Sequence, residues 1–150
     1  MKTLKLEHLA PYLPYELTVM HEGHIARIVS YYMPAGNYKK DCWIVSMEDT
    51  IDNELSCSTH FSEIKPILRP LSDLTKEIEH NGEKFVPNEY LNSDCKKYCT
   101  PEDWDAILFI EVENINSVPY VIVNQLIEWN FDIFNLIQDG LAVDKNTIEL

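Results

Sequence analysis

Residues 118–140, VPYVIVNQLIEWNFDIFNLIQDG, contain the pattern that predicts the helical half of the fold. Polar residues recur at steps of three or four along this stretch, as on one face of a helix: Asn124, Glu128, Asp132, Asn135 and Asp139. Gly140 marks the end of the helical region. Asn130 interrupts the opposite face and Asp132 has a side chain that caps helices, so one kinked helix over residues 119–139 and two packed helices both fit the pattern.

The bulky apolar residues of the same stretch predict much of the core. The expected core face consists of Tyr120, Val123, Ile127, Phe134 and Ile137. Trp129 and Phe131 lie at the break in the pattern, and we expect both to face inward as packing rather than outward as a contact surface. Trp43 and Trp104 are also expected in the core or at its rim. The stretch contains no nucleophile, phosphate loop or set of metal ligands, so it predicts structure and no chemistry.

The N-terminal half of the chain is rich in strand signals. Residues 16–20 alternate between polar and apolar, residues 25–32 are rich in β-branched and aromatic side chains, and residues 43–47 form a third run. Residues 61–70 are a fourth candidate, in which Pro66 lacks an N–H donor and predicts an edge or bulged strand. Short strands that follow one another along the chain predict an antiparallel meander.

Shorter helical signals lie between and after these strands. They occur over residues 4–13, over residues 72–79 before Asn81-Gly82, over residues 87–91, and at Thr100-Pro101. Residues 108–113 alternate like another strand. Together the patterns predict an α+β fold, in which an N-terminal antiparallel β-meander of three to four strands packs against C-terminal helices. The length predicts a single domain over residues 1–150.

The chain is strongly acidic, with a net charge of −13 over 150 residues. Residues 1–47 carry five basic and four acidic side chains, residues 48–80 three and eight, and residues 81–150 four and thirteen. An acidic surface repels phosphate groups, so we expect neither a nucleic acid nor an anionic membrane as a partner. The charge favours solubility through self-repulsion, and a second interpretation is an acidic face that docks on a basic protein.

The compartment is predicted from the absence of membrane and export signals. No stretch approaches the roughly 18 consecutive apolar residues of a membrane span. The first residues are basic, as in a signal peptide, but Glu7, His8, Pro11 and Pro14 interrupt the apolar run that should follow. We therefore expect a cytoplasmic protein. Its cysteines are then expected to remain thiols: Cys42, Cys57, Cys95 and Cys99.

Two pairs of residues form the best candidate for a metal site. Cys57 and His60 form the first pair, and Cys95 and Cys99, beside Asp94, form the second. Thiolates and imidazoles are ligands that zinc prefers, and paired ligands on short loops suit a structural site. The spacing between Cys95 and Cys99 is wider than that of a zinc knuckle. We therefore assign no metal ligand, and the sequence leaves open whether these residues meet.

No catalytic constellation emerges from the sequence. His21-Glu22-Gly23-His24 has its second histidine too early for the helical zinc-protease motif, and it predicts a hairpin turn. Neighbouring acids such as Glu111 and Glu113 carry little information in a chain with 25 acidic residues. The nucleophile-elbow motif Gly-x-Ser-x-Gly is absent, and the glycines form no phosphate loop. We therefore assign no catalytic or cofactor-binding residue and expect no cofactor.

Three segments carry a resemblance to known proteins. Residues 9–15 read LAPYLPY, residues 64–74 read IKPILRPLSDL, and residues 126–134 read LIEWNFDIF, with GLA at 140–142. In these segments the chain resembles short uncharacterised proteins carried by phages and mobile elements of gut anaerobic bacteria. The resemblance implies a phage-like or mobile-element accessory protein in a bacterial cytoplasm. It implies no catalytic or binding residue.

These observations predict a small non-enzymatic protein that acts through protein–protein interaction, with its acidic surface as a contact for a host protein. An enzyme with a noncontiguous site of acids and histidines is a second interpretation, and a pocket beside one of its histidines would support it: His21, His24, His60 or His80. A structural or assembly protein of a mobile element is a third. The sequence predicts neither the oligomeric state nor the identity of the partner.

Overall fold

The computed structural model describes residues 2–33, 35, 44–49, 55–95 and 118–148. The chain forms two compact units. Unit 1 comprises Met1–Leu68 and Leu136–Leu150, and unit 2 comprises Arg69–Asn135. The single domain expected over residues 1–150 stays a prediction, because two compact units can belong to one cooperative domain or to two.

Eight strands and three α-helices occur among the described residues. The strands are β1 (Thr18–His21), β2 (His24–Tyr32), β3 (Ile44–Asp49), β4 (Leu55–His60), β5 (Lys65–Leu68), β6 (Ile78–His80), β7 (Glu83–Phe85) and β8 (Val143–Asp144). The helices are α1 (Leu6–Leu9), α2 (Pro87–Cys95) and α3 (Tyr120–Glu128). Short 3₁₀ turns lie at Leu13–Tyr15, Phe61–Glu63, Leu71–Thr75 and Lys145–Thr147.

Unit 1 contains a mixed sheet of six strands in the order β4-β3-β2-β1-β5-β8. Strands β1 to β4 are antiparallel neighbours in the order in which the chain forms them. β5 pairs antiparallel with β1, and β8, from the C-terminal part of the chain, pairs parallel with β5. Short connections suffice for antiparallel neighbours, whereas the parallel pair requires a long connection.

Cross-strand pairs of apolar residues build the buried face of this sheet. Val19 pairs with Ala26, and Ile28 pairs with Met47. All four side chains are buried, in agreement with the alternation expected of a sheet with one buried face. Further buried residues of unit 1 come from the segments before, between and after the strands: Leu9, Tyr12, Leu17, Phe61, Ile64 and Leu136.

Pro66 lies in β5, for which the sequence predicted an edge or bulged position. The strand instead lies between β1 and β8. β8 has two residues, and its register partners are Ile67 and Leu68. Pro66 therefore lies outside the β8 ladder, which explains how this strand accommodates a residue without an N–H donor.

In unit 2, the helix predicted over residues 72–79 does not form. The segment forms the 3₁₀ turn Leu71–Thr75, followed by an antiparallel hairpin of β6 and β7. Asn81 and Gly82 form the two-residue loop of this hairpin, with φ of 52° and 80°. Both residues of such a loop need positive φ, so Asn-Gly is a hairpin signal, which outweighed the helix-start residues in front of it.

Helix α3 ends at a cap centred on Asn130. The Asn130 N–H donates to the Ile127 carbonyl (2.9 Å), and the Phe131 N–H donates to the Leu126 carbonyl (2.9 Å). With Asn130 at a φ of 59°, this pair of bonds is a Schellman motif. The prediction for residues 119–139 is therefore wrong in both of its forms, because a single α-helix forms over Tyr120–Glu128 and no α-helix follows it up to residue 148.

The core of unit 2 differs from the predicted core face because α3 ends at Glu128. Of the five predicted residues, Ile127 is buried and Tyr120 is 80% exposed. Val123 and Phe134 are half-buried, and so is Ile137, which belongs to unit 1. The side chains that fill this part of the unit 2 core are Ile122, Leu126, Ile127, Trp129, Phe131 and Ile133. The prediction that Trp129 and Phe131 face inward is confirmed.

The predicted α+β class, with an N-terminal meander packed against C-terminal helices, is wrong. The described residues are mostly sheet, with a six-stranded mixed sheet and a two-stranded sheet. Their three helices are short, and the two longest have nine residues each. The positive-φ cap at Asn130 ends the C-terminal helix early, so it cannot supply the predicted helical layer. The helix start at Thr100 and the strand over residues 108–113 lie outside the described residues.

Candidate functional site

Four bulky apolar side chains are exposed at the end of β2. Val29 is 46% exposed, Tyr31 49%, Tyr32 45% and Met33 46%, and we call these four residues the apolar patch. Successive residues of a strand point to opposite faces, so both faces of this strand end present apolar surface to solvent. Large exposed apolar residues that are close neighbours mark an interaction site more often than scattered ones do.

β1 covers one side of β2 over part of its length. The register of β1 with β2 ends at the pair of Thr18 and Arg27, followed by a bond from the Ile28 N–H to the Leu17 carbonyl (3.1 Å). At Glu16 the chain adopts a φ of 55° and turns out of the strand direction. β2 continues to Tyr32 with β3 on its other side. In the described part of the chain, the end of β2 thus has a strand neighbour on one side.

A groove of about 300 Å³ lies along the end of β2. Its lining comes from the 3₁₀ turn in front of β1 and from β2 itself: Leu13, Ile28, Val29, Ser30 and Tyr31. Leu13 belongs to the segment that precedes β1, so the groove lies between that segment and β2. We call it the edge groove.

The charges beside the edge groove are predominantly acidic. Arg27 donates to Glu48 (2.7 Å) and lies 3.7 Å from Glu16. The hydrogen bond and charge of Glu48 raise the pKa of Arg27 above its ordinary value, so the guanidinium stays charged. One cation between two carboxylates leaves this border with a net negative charge, and the Glu16 side chain is 80% exposed.

A second depression, of about 410 Å³, lies between the start of the chain and the turn after β4. We call it the α1 cleft. It is lined by Thr3, Leu4, Lys5, Leu6, Glu7, His60, Phe61 and Ser62. Lys5 and Glu7 form an exposed ion pair at 3.2 Å, and such pairs contribute little to stability. The cleft therefore combines an apolar lining with several polar side chains, as small-ligand sites do.

His60 and Ser62 are hydrogen-bonded to each other in the α1 cleft. The Ser62 N–H donates to His60 Nδ1 (3.2 Å), and the Ser62 hydroxyl lies 2.6 Å from the same nitrogen. Because Nδ1 accepts the N–H bond, the neutral ring carries its proton on Nε2. This contact caps the 3₁₀ turn Phe61–Glu63, and it also places a hydroxyl against a base.

Unit 2 contains buried side chains of opposite charge, Arg69 and Asp73. Arg69 is 7% exposed and Asp73 is 3% exposed. Arg69 Nη2 donates to the Glu79 carbonyl, and Asp73 accepts from Lys76 Nζ at 2.6 Å. Burial lowers the pKa of Arg69, and the negative charge of Asp73 opposes that shift. The Arg69 bond joins the start of unit 2 to β6, and the Asp73 bond holds the end of the 3₁₀ turn, so we assign both a structural role.

Among the described residues of unit 2, three buried side-chain atoms lack a hydrogen-bond partner: Arg69 Nε, Asn88 Oδ1 and Asn130 Oδ1. Two of these residues are neighbours, because the Arg69 N–H donates to the Asn130 carbonyl at 2.8 Å. Leaving a buried polar group unsatisfied costs about 1–3 kcal/mol. None of the three residues lines the edge groove or the α1 cleft.

Three of the four candidate histidines lie at hairpin turns. His21 and His24 face each other across the loop that joins β1 and β2. His80 is the last residue of β6, beside the Asn81-Gly82 loop. The hairpin turn predicted for His21-Glu22-Gly23-His24 is confirmed, and the fourth histidine, His60, lines the α1 cleft.

The candidate zinc ligands fall in different parts of the chain. Cys57 lies in β4, and His60 ends the same strand. Cys95 is the last residue of α2, in unit 2, and Cys99 lies outside the described residues. Among the described side chains, no group of three or more histidines, cysteines and acids is arranged to hold a metal ion. The zinc hypothesis therefore gains no support from the described part of the chain.

Sequence reasoning did not identify the apolar patch as a candidate site. The available signal was the run Tyr31-Tyr32-Met33 at the end of a predicted strand, where alternation with polar residues stops. Of the tryptophans, Trp129 is buried against Phe85 and Tyr90, with ring centroids 4.9 and 5.3 Å away. Trp43 and Trp104, like Glu111 and Glu113, lie outside the described residues.

No protein-family model, curated protein or solved structure matches this chain. None of the described helices is both long and apolar enough to cross a membrane. The basis for assigning a function is therefore the geometry of the described residues together with the charge of the chain.

Proposed function

We propose that this chain is a small non-enzymatic protein that binds a protein partner through the apolar patch. The observation that carries the proposal is the cluster of four large apolar side chains at the end of β2, each 45–49% exposed. Tyrosine and methionine are enriched at protein interfaces, because they offer a large contact area. The edge groove beside the patch adds the concave surface that an anchoring side chain needs.

The charge of the chain favours a basic partner. With a net charge of −13 the protein repels nucleic acids, and it attracts basic surfaces at a distance. Complementary charge raises the association rate and excludes acidic competitors. The apolar patch supplies short-range contact, and the acidic residues around Arg27 supply the orientation of the partner.

For the biological setting we propose an accessory protein of a phage or mobile element, with a host protein as the partner and the bacterial cytoplasm as the compartment. Support for this part of the proposal comes from the resemblance of residues 9–15, 64–74 and 126–134. Identification of genes for virion, replication or defence proteins beside this one would test it, and a position among unrelated housekeeping genes would contradict it.

Site-specific photocrosslinking in the host tests the proposed function. A photoreactive phenylalanine analogue replaces Tyr31 in the patch, and in a matched variant it replaces Tyr120, which is 80% exposed in unit 2. We expect a discrete adduct from position 31 that weakens when Tyr32→Ser is added. Adducts of equal yield at both positions, or adducts insensitive to Tyr32→Ser, would contradict a role for the patch.

A second candidate function is an enzyme that uses the α1 cleft. The observation that favours it is the 2.6 Å contact between Ser62 and His60 in a cleft with further polar side chains. A hydroxyl beside a base is the minimal arrangement for nucleophilic catalysis. Incubation with a fluorophosphonate probe tests this function: labelling that is lost in Ser62→Ala supports it, and absence of labelling removes it.

A further inference from the structure

We propose that the α1 cleft binds a small zwitterionic ligand of the amino-acid class with an apolar side chain. The ligand carboxylate pairs with Lys5, its ammonium group pairs with Glu7, and its side chain lies on Leu4 and Phe61. This site is separate from the proposed contact with a protein partner, because the cleft shares no lining residue with the apolar patch or the edge groove. It also needs no reaction at Ser62.

The α1 cleft has an apolar floor and a charged mouth. Leu4 and Phe61 are each 5% exposed, so they lie at the floor of the cleft that they line. Lys5 and Glu7 also line it, but their side chains are 63% and 68% exposed, so they lie at its mouth. The volume of about 410 Å³ is in the range of small-molecule sites. A ligand that enters with its apolar side chain first therefore keeps its charged end at the mouth.

The charges at the mouth are balanced, although the chain as a whole has a net charge of −13. The described lining contains one lysine, Lys5, and one carboxylate, Glu7, with Nζ and Oε1 3.2 Å apart. A ligand with a single charge is attracted by one of these residues and repelled by the other, whereas a zwitterion is attracted by both. Because an exposed ion pair contributes little stability, a ligand that separates the two side chains loses little.

Hydrogen bonds and a ring contact hold both walls of the cleft in place. On one side, the Lys5 N–H donates to His8 Nδ1 (3.2 Å), and the His8 N–H donates to the Lys5 carbonyl (3.0 Å). On the other side, His60 Nδ1 accepts from the Ser62 N–H (3.2 Å), and the His60 ring stacks on Phe61 with centroids 4.9 Å apart. Walls that are already ordered reduce the entropy lost on binding. The cleft is therefore formed before a ligand enters it.

Isothermal titration calorimetry of the full chain with L-leucine tests the proposal. Three analogues each remove one part of the ligand. N-acetyl-leucine lacks the ammonium charge, leucinamide lacks the carboxylate, and glycine lacks the apolar side chain. We expect leucine to bind and each analogue to bind about tenfold more weakly or not at all, because each loses one of the three contacts.

Matched variants of two exposed ion pairs test the position of the site. Lys5→Gln and Glu7→Gln each remove one charge from the mouth of the cleft. Lys84→Gln removes a charge from the pair of Lys84 and Glu79 in unit 2, whose side chains are 65% and 62% exposed. We expect the first two substitutions to weaken leucine binding about five- to tenfold and Lys84→Gln to leave it unchanged. Because all three side chains are exposed, the variants should fold, and circular dichroism checks this.

Absence of saturable leucine binding would overturn the proposal. If N-acetyl-leucine or leucinamide bound as tightly as leucine, the ligand would not need to be a zwitterion, and equal affinity for glycine would contradict a role for the apolar floor. Equal effects of Lys5→Gln and Lys84→Gln would show that the site lies elsewhere. None of these results changes the crosslink expected at Tyr31, so failure of this inference is distinguishable from failure of the proposed function.

Discussion

Asn130 shows how one backbone conformation determines the course of the chain in unit 2. Its φ of 59° lies in the left-handed region, which asparagine tolerates and alanine disfavours. The two capping bonds that end α3 depend on this conformation. The Asn130 Oδ1 is buried without a hydrogen-bond partner, which lowers stability.

Substitution of Asn130 tests this interpretation. We expect Asn130→Ala to be less stable than Asn130→Gly by about 1 kcal/mol, because glycine adopts positive φ without steric cost. Urea denaturation of the two variants measures the difference. Equal stabilities would show that the helix end does not depend on the left-handed residue.

Phe131 and Phe134 form a matched pair for locating the core of unit 2. Phe131 is fully buried, whereas Phe134, in the predicted core face, is half-buried. Truncation of a buried phenylalanine to alanine costs about 3–5 kcal/mol. We expect a loss in this range for Phe131→Ala and a clearly smaller loss for Phe134→Ala in chemical denaturation. A larger loss at Phe134 would contradict the described core.

The β1–β2 hairpin offers a prediction at the scale of an element. Its loop residues Glu22 and Gly23 have φ of 49° and 86°. Glutamate is strained at positive φ, and asparagine is the residue that such two-residue loops prefer. We expect Glu22→Asn to raise the free energy of unfolding by about 0.5–1 kcal/mol and Gly23→Ala to lower it. Thermal unfolding of both variants provides the measurement.

If Glu22→Asn destabilises the protein, the loop conformation described for this hairpin is wrong. A thermal midpoint that Gly23→Ala leaves unchanged would lead to the same conclusion. Both substitutions lie on exposed residues of unit 1, so their effects report the loop rather than the core.

The strands with the clearest local signals were predicted from the sequence, whereas β8, which depends on a distant partner, was not. The runs over residues 16–20, 25–32 and 43–47 correspond to β1, β2 and β3, because alternation and β-branched residues act within a few positions. β8 has two residues and exists through its pairing with Ile67 and Leu68, far away in the sequence. A pairing of that kind leaves no periodic pattern to detect.

At the scale of the whole molecule, the relation between the two units determines how the protein unfolds. If residues 1–150 form one domain as predicted, both units lose structure in one cooperative transition. In a variant with Trp43→Phe and Trp104→Phe, fluorescence reports Trp129 in unit 2, and circular dichroism reports both units. We expect the two urea midpoints to coincide. Separate midpoints would contradict a single domain and indicate that the units fold independently.

The candidate site illustrates which functional features a sequence contains. The sequence shows three residues of the apolar patch as the run Tyr31-Tyr32-Met33, but a strand that ends in these residues is equally compatible with burial. The edge groove is not visible, because it requires Leu13, from before β1, to lie beside the end of β2. The extension of β2 beyond its last pair with β1 likewise depends on the unequal lengths of the two strands.

The sequence by itself determined the acidic charge, the first three strands, the turn at Gly23 and the inward position of Trp129 and Phe131, because these follow from composition and local spacing. The early end of α3 and the hairpin at Asn81-Gly82 follow from local turn residues, whose effect outweighed the helical spacing around them. The tertiary structure alone decided the partner of β8 and the exposure of the apolar patch. The physical reason is that burial and strand pairing depend on residues brought together from distant positions, and the free energy of those contacts outweighs local propensity.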